Sequence, residues 1–174
     1  MRLAGILCIA ALAAATPAQA QDNVLAQAGK STLGMVKNNI VKAAEQMSEE
    51  NYAFKPTADV RSFGQLVGHV ANANYMICST ASGAANPNKT NIEKALTSKA
   101  DLTKAVAESF AFCEAQFDAM IGAKATEVID IFGMKMPRLN ALQFNTAHDF
   151  EHYGNIVTYM RLKGMVPPSS QRGM

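Results

Sequence analysis

The sequence has 174 residues, of which 49% are hydrophobic and 17% charged, with 11 Gly, 6 Pro, 3 Cys and no Trp. This length suits one domain, and the composition excludes collagen, a disordered chain and a small disulfide-rich scaffold. The 16 Lys and Arg against 14 Asp and Glu give a net charge of +2. So small a net positive charge gives no support for nucleic acid as the partner.

The first twenty residues have the pattern of a secretory signal peptide. Arg2 is followed by an apolar run over residues 3–15 and then by residues 16–20, which place small side chains at the two positions that signal peptidase recognises. The apolar run is too short to cross a bilayer comfortably, so we expect no membrane span in the mature chain. We predict cleavage after Ala20, a single domain over residues 21–174, and export to the periplasm or the medium.

Two cysteines, Cys78 and Cys113, remain in the predicted mature chain. An exported compartment permits a disulfide bond between them. Cysteines on separate helices are also common simply as small core residues. The sequence leaves both alternatives open.

Four segments of the mature chain have the spacing of amphipathic helices, in which apolar residues recur every three or four positions. The first segment spans residues 24–47 and is followed by Pro56, which cannot continue a helix. The second begins at Ser62, because its hydroxyl can cap a helix and Gln65 follows in the capping-box position. Residues 79–92 are rich in Ser, Ala, Gly, Asn and Pro, so we predict a connection there.

The third helix is predicted over residues 101–121, and the fourth over residues 138–163, ending at Gly164. Residues 124–137, between them, lose the helical period, and Gly133 indicates a turn. We expect a short hairpin or an ordered loop there. The predicted fold class is all-α: a four-helix bundle with this hairpin or loop before the last helix.

Histidine is the residue type that points to a function. The chain has three: His69 on the second predicted helix, and His148 and His152 on the fourth. The last two are four residues apart, so they lie on one helix face, one turn from each other. Two imidazoles from one helix and a third from a facing helix can bind a divalent ion and leave a coordination position for water or substrate. The alternative is that each histidine is an ordinary packed residue with a satisfied hydrogen bond.

Three parts of the chain resemble the DinB/YfiT-like family, in the order in which that family has them. The segments are residues 47–56 (MSEENYAFKP), residues 62–70 (SFGQLVGHV), and the last helix with its end, residues 148–156 (HDFEHYGNI) and 160–164 (MRLKG). Family members are four-helix bundles in which helices two and four supply a histidine triad for a divalent metal. The resemblance implies that His69, His148 and His152 are ligands for such an ion, with Zn, Ni and Fe as the candidates.

The resemblance says less about the reaction. Known members include thiol-dependent transferases and isomerases of the cytoplasm, and the predicted signal peptide differs from that location. We expect an exported metal-dependent hydrolase or transferase that acts on a small molecule. The alternative is a non-catalytic metal-binding or interaction module of the cell envelope, which could act as a homodimer. The sequence does not decide between an enzyme and a binding module.

Other polar residues near the histidines have two interpretations each. Residues 148–152 match His-x-x-Glu-His, the inverted zinc-protease motif, in which Glu151 would be the base. That motif needs a further carboxylate ligand, and neither Asp nor Glu follows His152. Asn72 and Asn145 could hydrogen-bond to the triad or be ordinary helix residues. Tyr159 could line a pocket or pack within the bundle.

Overall fold

The computed structural model of the protein describes residues 17–171. Most of the predicted signal peptide, residues 1–16, lies outside the described residues, so cleavage after Ala20 and the boundaries of the mature domain stay predictions. No helix in the described part of the chain is both long and apolar enough to span a bilayer.

Four long helices form the fold, which confirms the all-α prediction. They are α1 (Pro17–Gln46), α2 (Phe63–Ser82), α4 (Lys99–Asp118) and α6 (Arg138–Leu162). Each of α1 and α2 packs against both α4 and α6, which places the four helices around one apolar core. Fully buried side chains from all four helices fill this core, among them Leu33, Val67, Phe110 and Ile156.

Local sequence explains most helix ends. Ser62 caps α2 by accepting a hydrogen bond from the Gln65 backbone N–H, and the Gln65 side chain accepts from the Ser62 backbone N–H, which confirms the predicted capping box. Helix α4 begins two residues earlier than predicted because Ser98 caps it. Helix α1 begins at Pro17 rather than near residue 24, since proline is tolerated in the first turn of a helix and no helix breaker follows it.

Shorter elements connect the long helices. They comprise 3-10 turns at Glu49–Ala53 and Pro168–Ser170, the short helices α3 (Ile92–Ala95) and α5 (Ala123–Thr126), and the strands β1 (Val128–Ile131) and β2 (Met134–Pro137). The strands form an antiparallel hairpin in which Ile131 pairs with Met134. Its two turn residues, Phe132 and Gly133, have φ angles of 53° and 77°, as a type I′ turn requires. The structure therefore confirms a hairpin before the last helix.

Cys78 on α2 and Cys113 on α4 form a disulfide bond in the buried core. The sequence left this pairing open. The bond joins the C-terminal halves of the two helices, and both cysteines are also small core residues.

A buried polar cluster lies in the same part of the core. Asn145 and Asp149 on α6 are fully buried together with Asn74 on α2 and Ser109 on α4. Asn145 Nδ2 donates to Asp149 Oδ2 at 3.1 Å and lies 2.7 Å from the Asn74 carboxamide, which is itself 3.1 Å from Ser109 Oγ. These contacts tie three helices together by side-chain hydrogen bonds inside the apolar core.

Candidate metal centre

The three histidines of the sequence come together between α2 and α6. His69 lies in the second turn of α2, while His148 and His152 lie one turn apart on α6. One ligand atom from each ring can be chosen so that all three atoms lie within 4.8 Å of one another. The predicted convergence of the three imidazoles is therefore confirmed, and the group can hold a metal ion.

The two rings on α6 are the closest pair. His148 Nε2 and His152 Nε2 are 2.9 Å apart, and the ring centroid of His69 lies 5.3 Å from that of His148 and 4.7 Å from that of His152. Two neutral imidazoles that face each other through Nε2 can share only one proton. A metal ion instead accepts lone pairs from all three rings, and tetrahedral coordination at about 2.0–2.1 Å places such ligand atoms at a similarly short separation. The donor set and its spacing fit a divalent ion.

Burial keeps the three imidazoles neutral, the form that binds a metal. Burial is the main cause of the lowered pKa of His69 and of His148, and it lowers the pKa of His152 to about 4. The positive charges that the other two rings would carry lower the pKa of His152 further. At pH 7 the site therefore presents neutral nitrogen donors.

Glu93, on the short helix α3, contacts the outer nitrogen of His69. Its Oε2 lies 3.4 Å from His69 Nδ1, and its Oε1 accepts from Arg61 Nε at 3.0 Å. A carboxylate at Nδ1 holds the ring proton there and leaves Nε2 as the ligand atom, which orients the ring and makes it a better donor. The Nδ1 atoms of His148 and His152, by contrast, are buried without a hydrogen-bond partner among the described residues.

Sequence reasoning missed both Glu93 and Arg61. They lie in connections rather than in the long helices, and neither has a spacing that relates it to a histidine. Glu93 reaches the site because Asn72 on α2 binds the connection that carries it. Asn72 Oδ1 accepts from the Ile92 N–H at 2.9 Å, and Asn72 Nδ2 donates to Asn91 Oδ1 at 3.0 Å.

The structure corrects the possible role of the two asparagines, because neither hydrogen-bonds to a histidine. Asn72 binds the connection before α4, and Asn145 belongs to the buried polar cluster. Glu151 is exposed on α6, and the histidine triad includes no carboxylate ligand within the described part of the chain. The site is therefore a three-imidazole group rather than an inverted zinc-protease centre.

A cavity of about 660 Å³ adjoins the triad at His152. Its other walls include Lys55, Arg61, Asn155 and Tyr159. The Tyr159 hydroxyl donates to the Arg61 carbonyl at 2.6 Å, so this tyrosine both lines the cavity and packs with its hydroxyl satisfied. The triad thus has one side that a small molecule can approach.

Fold and site together define a class of protein: a four-helix bundle with a histidine triad between its second and last long helices. The model of the DinB family matches residues 32–172, and the chain belongs to that family. A similar protein from Bacillus subtilis (strain 168), YjoA, is 25% identical over 129 residues, which are 74% of this chain and 84% of YjoA.

Solved structures of similar proteins have the same fold. The crystal structure of YjoA matches with a TM-score of 0.65 and 24% identity, covering 84% of this chain and 99% of that one. A DinB-like protein from Bacillus cereus ATCC 10987 matches with a TM-score of 0.72 and 15% identity, covering 82% and 95%. A protein from Enterococcus faecalis matches with a TM-score of 0.66 and 19% identity, covering 78% and 95%.

Proposed function

We propose that this protein is an exported DinB-family protein that binds a divalent metal ion through His69, His148 and His152. We further propose that it acts on a small molecule as a metal-dependent hydrolase or transferase. The observation that carries the proposal is the meeting of three neutral imidazoles, one buried and two half-buried, at the edge of a cavity of about 660 Å³. Three protein ligands leave room for a further ligand on the ion, as a catalytic site requires.

The side chains around the triad have distinct parts in such a site. A divalent ion, when bound, supplies a Lewis acid that polarises an oxygen of the substrate. Glu93 keeps the proton of His69 on Nδ1 and so holds the ring in the orientation that binds the ion. Burial keeps the ligands unprotonated, and the cavity at His152 admits the substrate.

A non-catalytic metal-binding module is the competing function. Such a module needs no open side and is best served by a fourth protein ligand that closes the coordination sphere. The cavity beside His152 favours the enzyme, and no fourth residue joins the triad within the described part of the chain.

Metal content tests the ligand set. We expect the purified protein to retain one divalent ion per chain by mass spectrometry, and each His→Ala change to abolish retention while circular dichroism shows an intact helical fold. Asn155→Ala is the matched control, because Asn155 lines the same cavity on α6 and is no ligand. Stoichiometric metal in the triple histidine variant would overturn the proposal.

Turnover separates an enzyme from a binding module. A panel of ester, amide and phosphoester substrates would be assayed with the metal-loaded protein, after chelation, and with the His152→Ala variant. Hydrolysis that chelation and the variant both abolish supports the hydrolase. Stoichiometric metal with no turnover on this panel, nor on thiol-transfer substrates, favours the binding module.

Export is supported by two independent features. The first is the signal-peptide pattern of residues 1–20, and the second is the disulfide bond between Cys78 and Cys113, since disulfides persist in oxidising compartments. Fractionation of producing cells, with sequencing of the mature N-terminus, tests the assignment. A mature chain that begins at Gln21 in the periplasm or medium supports it, and a full-length chain in the cytoplasm contradicts it.

A further inference from the structure

The cavity beside the triad contains a cationic side chain whose position is fixed. Arg61 immediately precedes Ser62, the capping residue of α2, and its carbonyl accepts the hydrogen bond of Tyr159 on α6. The backbone of Arg61 is therefore tied to both helices that carry the triad. Its side chain can act at the site without a loop rearrangement.

Most of the hydrogen-bonding capacity of Arg61 is left for a ligand. Its Nε donates to Glu93, and within the described residues its two terminal nitrogens make no hydrogen bond. The side chain is 43% exposed, so a ligand in the cavity can reach these nitrogens. A guanidinium group with free terminal N–H groups suits two parallel hydrogen bonds to a carboxylate or phosphate.

The charges of the cavity also favour an anion once a metal is present. Lys55 and Arg61 are its cations, and Asp59 and Glu93 are its carboxylates. Glu93 is already engaged by Arg61 and His69, and a divalent ion would add two positive charges at the inner end. Glu93 also links Arg61 to the triad, since it accepts from Arg61 Nε at 3.0 Å and lies 3.4 Å from His69 Nδ1.

We propose that this cavity binds a small molecule with an oxyanion group, a carboxylate or a phosphate. In this proposal the terminal nitrogens of Arg61 hydrogen-bond to that group beside the metal position. The inference rests on the proposed function, since it places the ligand next to the histidine-bound ion. Arg61 is a binding residue that sets substrate class, and Glu93 positions it by holding Nε. The cavity of about 660 Å³ is in the size range of small-molecule sites.

Titration calorimetry at pH 8 tests the inference. The titrants are inorganic phosphate and succinate, and the samples are the full mature chain loaded with one Zn²⁺ and the same chain after chelation. The variants are Arg61→Gln, which removes the charge, and Arg61→Lys, which keeps the charge but loses the paired donors. Arg161→Gln is the matched control, because Arg161 is exposed on α6 and its terminal nitrogen donates to Ser170.

We expect at least one of the two anions to bind the zinc-loaded protein. Arg61→Gln should weaken that binding about tenfold or more, Arg61→Lys less, and Arg161→Gln not measurably, as the loss of a charge-assisted hydrogen bond predicts. The tighter of the two anions identifies the group that the substrate carries. Zinc content and thermal unfolding are measured on each sample, so that a misfolded variant is recognised. If Arg61→Gln does not fold, the anion affinity of Arg61→Lys tests the inference in its place.

Two results would overturn the inference while leaving the metal site intact. One is a zinc-loaded protein that binds neither anion, and the other is an Arg61→Gln variant that retains zinc and binds the anion as tightly as the parent. A parent protein that takes up no zinc, nickel or iron would contradict the proposed function itself, and the inference with it.

Discussion

Gly68 on α2 lies directly against the backbone of Glu93 on α3. A Cβ atom at position 68 would lie 2.8 Å from the Cα of Glu93 and 3.0 Å from its backbone nitrogen, closer than packed atoms can approach. The absent side chain therefore lets α3 come near enough for Glu93 to contact His69, the next residue along α2.

The substitution Gly68→Ala should push α3 away from α2. We expect the free energy of unfolding to fall by about 1–3 kcal/mol because of overpacking. Zinc affinity should fall about tenfold or more, because His69 loses its carboxylate partner. Urea unfolding and competition with a zinc-binding dye measure the two effects. Gly34→Ala is the control: its Cβ meets no atom within 4 Å, so helix propensity alone should stabilise the protein and leave zinc affinity unchanged.

Gly68→Ala both displaces the backbone of α3 and removes the carboxylate from His69. Glu93→Gln removes the carboxylate alone, so it separates the two effects. It keeps the shape of the side chain, so zinc affinity should fall about 10–100-fold with little change in unfolding free energy. Glu151→Gln, an exposed change on α6, serves as the comparison. Equal zinc affinities in the two variants would show that Glu93 does not support His69.

The metal-free protein should lose stability as the pH falls below neutrality. The pKa of His152 is about 4 in the folded chain against 6.5 ordinarily, so the unfolded chain binds the extra proton between those values. The contribution is complete above pH 6.5 and is lost as the pH falls to about 4, with a size on the order of 2 kcal/mol. Urea unfolding of chelated protein at pH 5 and pH 7 should show this difference, and His152→Gln should reduce it. If the stability difference between pH 5 and pH 7 were the same in His152→Gln as in the parent, the pH dependence would not come from His152.

Asp149 should show the opposite dependence on pH. Burial raises its pKa well above the usual value, which favours the protonated carboxyl in the folded chain. The folded chain keeps a proton that the unfolded chain releases above about pH 4, so the free energy of unfolding falls as the pH rises.

We therefore expect Asp149→Asn to raise the free energy of unfolding by about 1–3 kcal/mol at pH 8 and to change it little at pH 3.5. Asp118→Asn is the contrasting variant. The hydrogen bond from Lys30 lowers the pKa of the exposed Asp118, so its replacement should cost stability at neutral pH instead. A destabilised Asp149→Asn protein at pH 8 would mean that the buried cluster needs the charged carboxylate.

The disulfide bond closes a loop between positions 35 residues apart. The chain-entropy relation assigns such a cross-link about 3–4 kcal/mol. Replacing both Cys78 and Cys113 with Ala should lower the free energy of unfolding by at least this amount, because two buried side chains also become smaller. Denaturant unfolding of the oxidised, reduced and double-variant proteins measures it. Equal stability of the oxidised and reduced parent would show that no bond forms.

The parts of this protein that could be predicted from sequence are those governed by local spacing. Apolar periodicity and the Ser62–Gln65 cap predicted the long helices, and the four-residue interval placed His148 and His152 on one face. Their meeting with His69 followed from the resemblance to a known family as well as from spacing. Glu93 could not be found this way, because its contact with His69 depends on how a connection without periodicity packs.

The disulfide bond is a second feature that local spacing could not predict. Cys78 and Cys113 each lie on an apolar helix face, and a buried thiol and a bonded half-cystine give the same sequence pattern. Only the packing of α2 against α4 decides between them. Arg61 was missed because it lies just outside a helix, where no helical repeat relates it to Tyr159, 98 positions away.

The carboxylate that contacts His69 belongs to the link between α2 and α4 and not to any of the long helices. The three imidazoles and the carboxylate that contacts one of them are thus encoded by separate stretches of the chain. Substitutions at Glu93 can therefore change the basicity of the His69 ring while the residues of the long helices stay as they are.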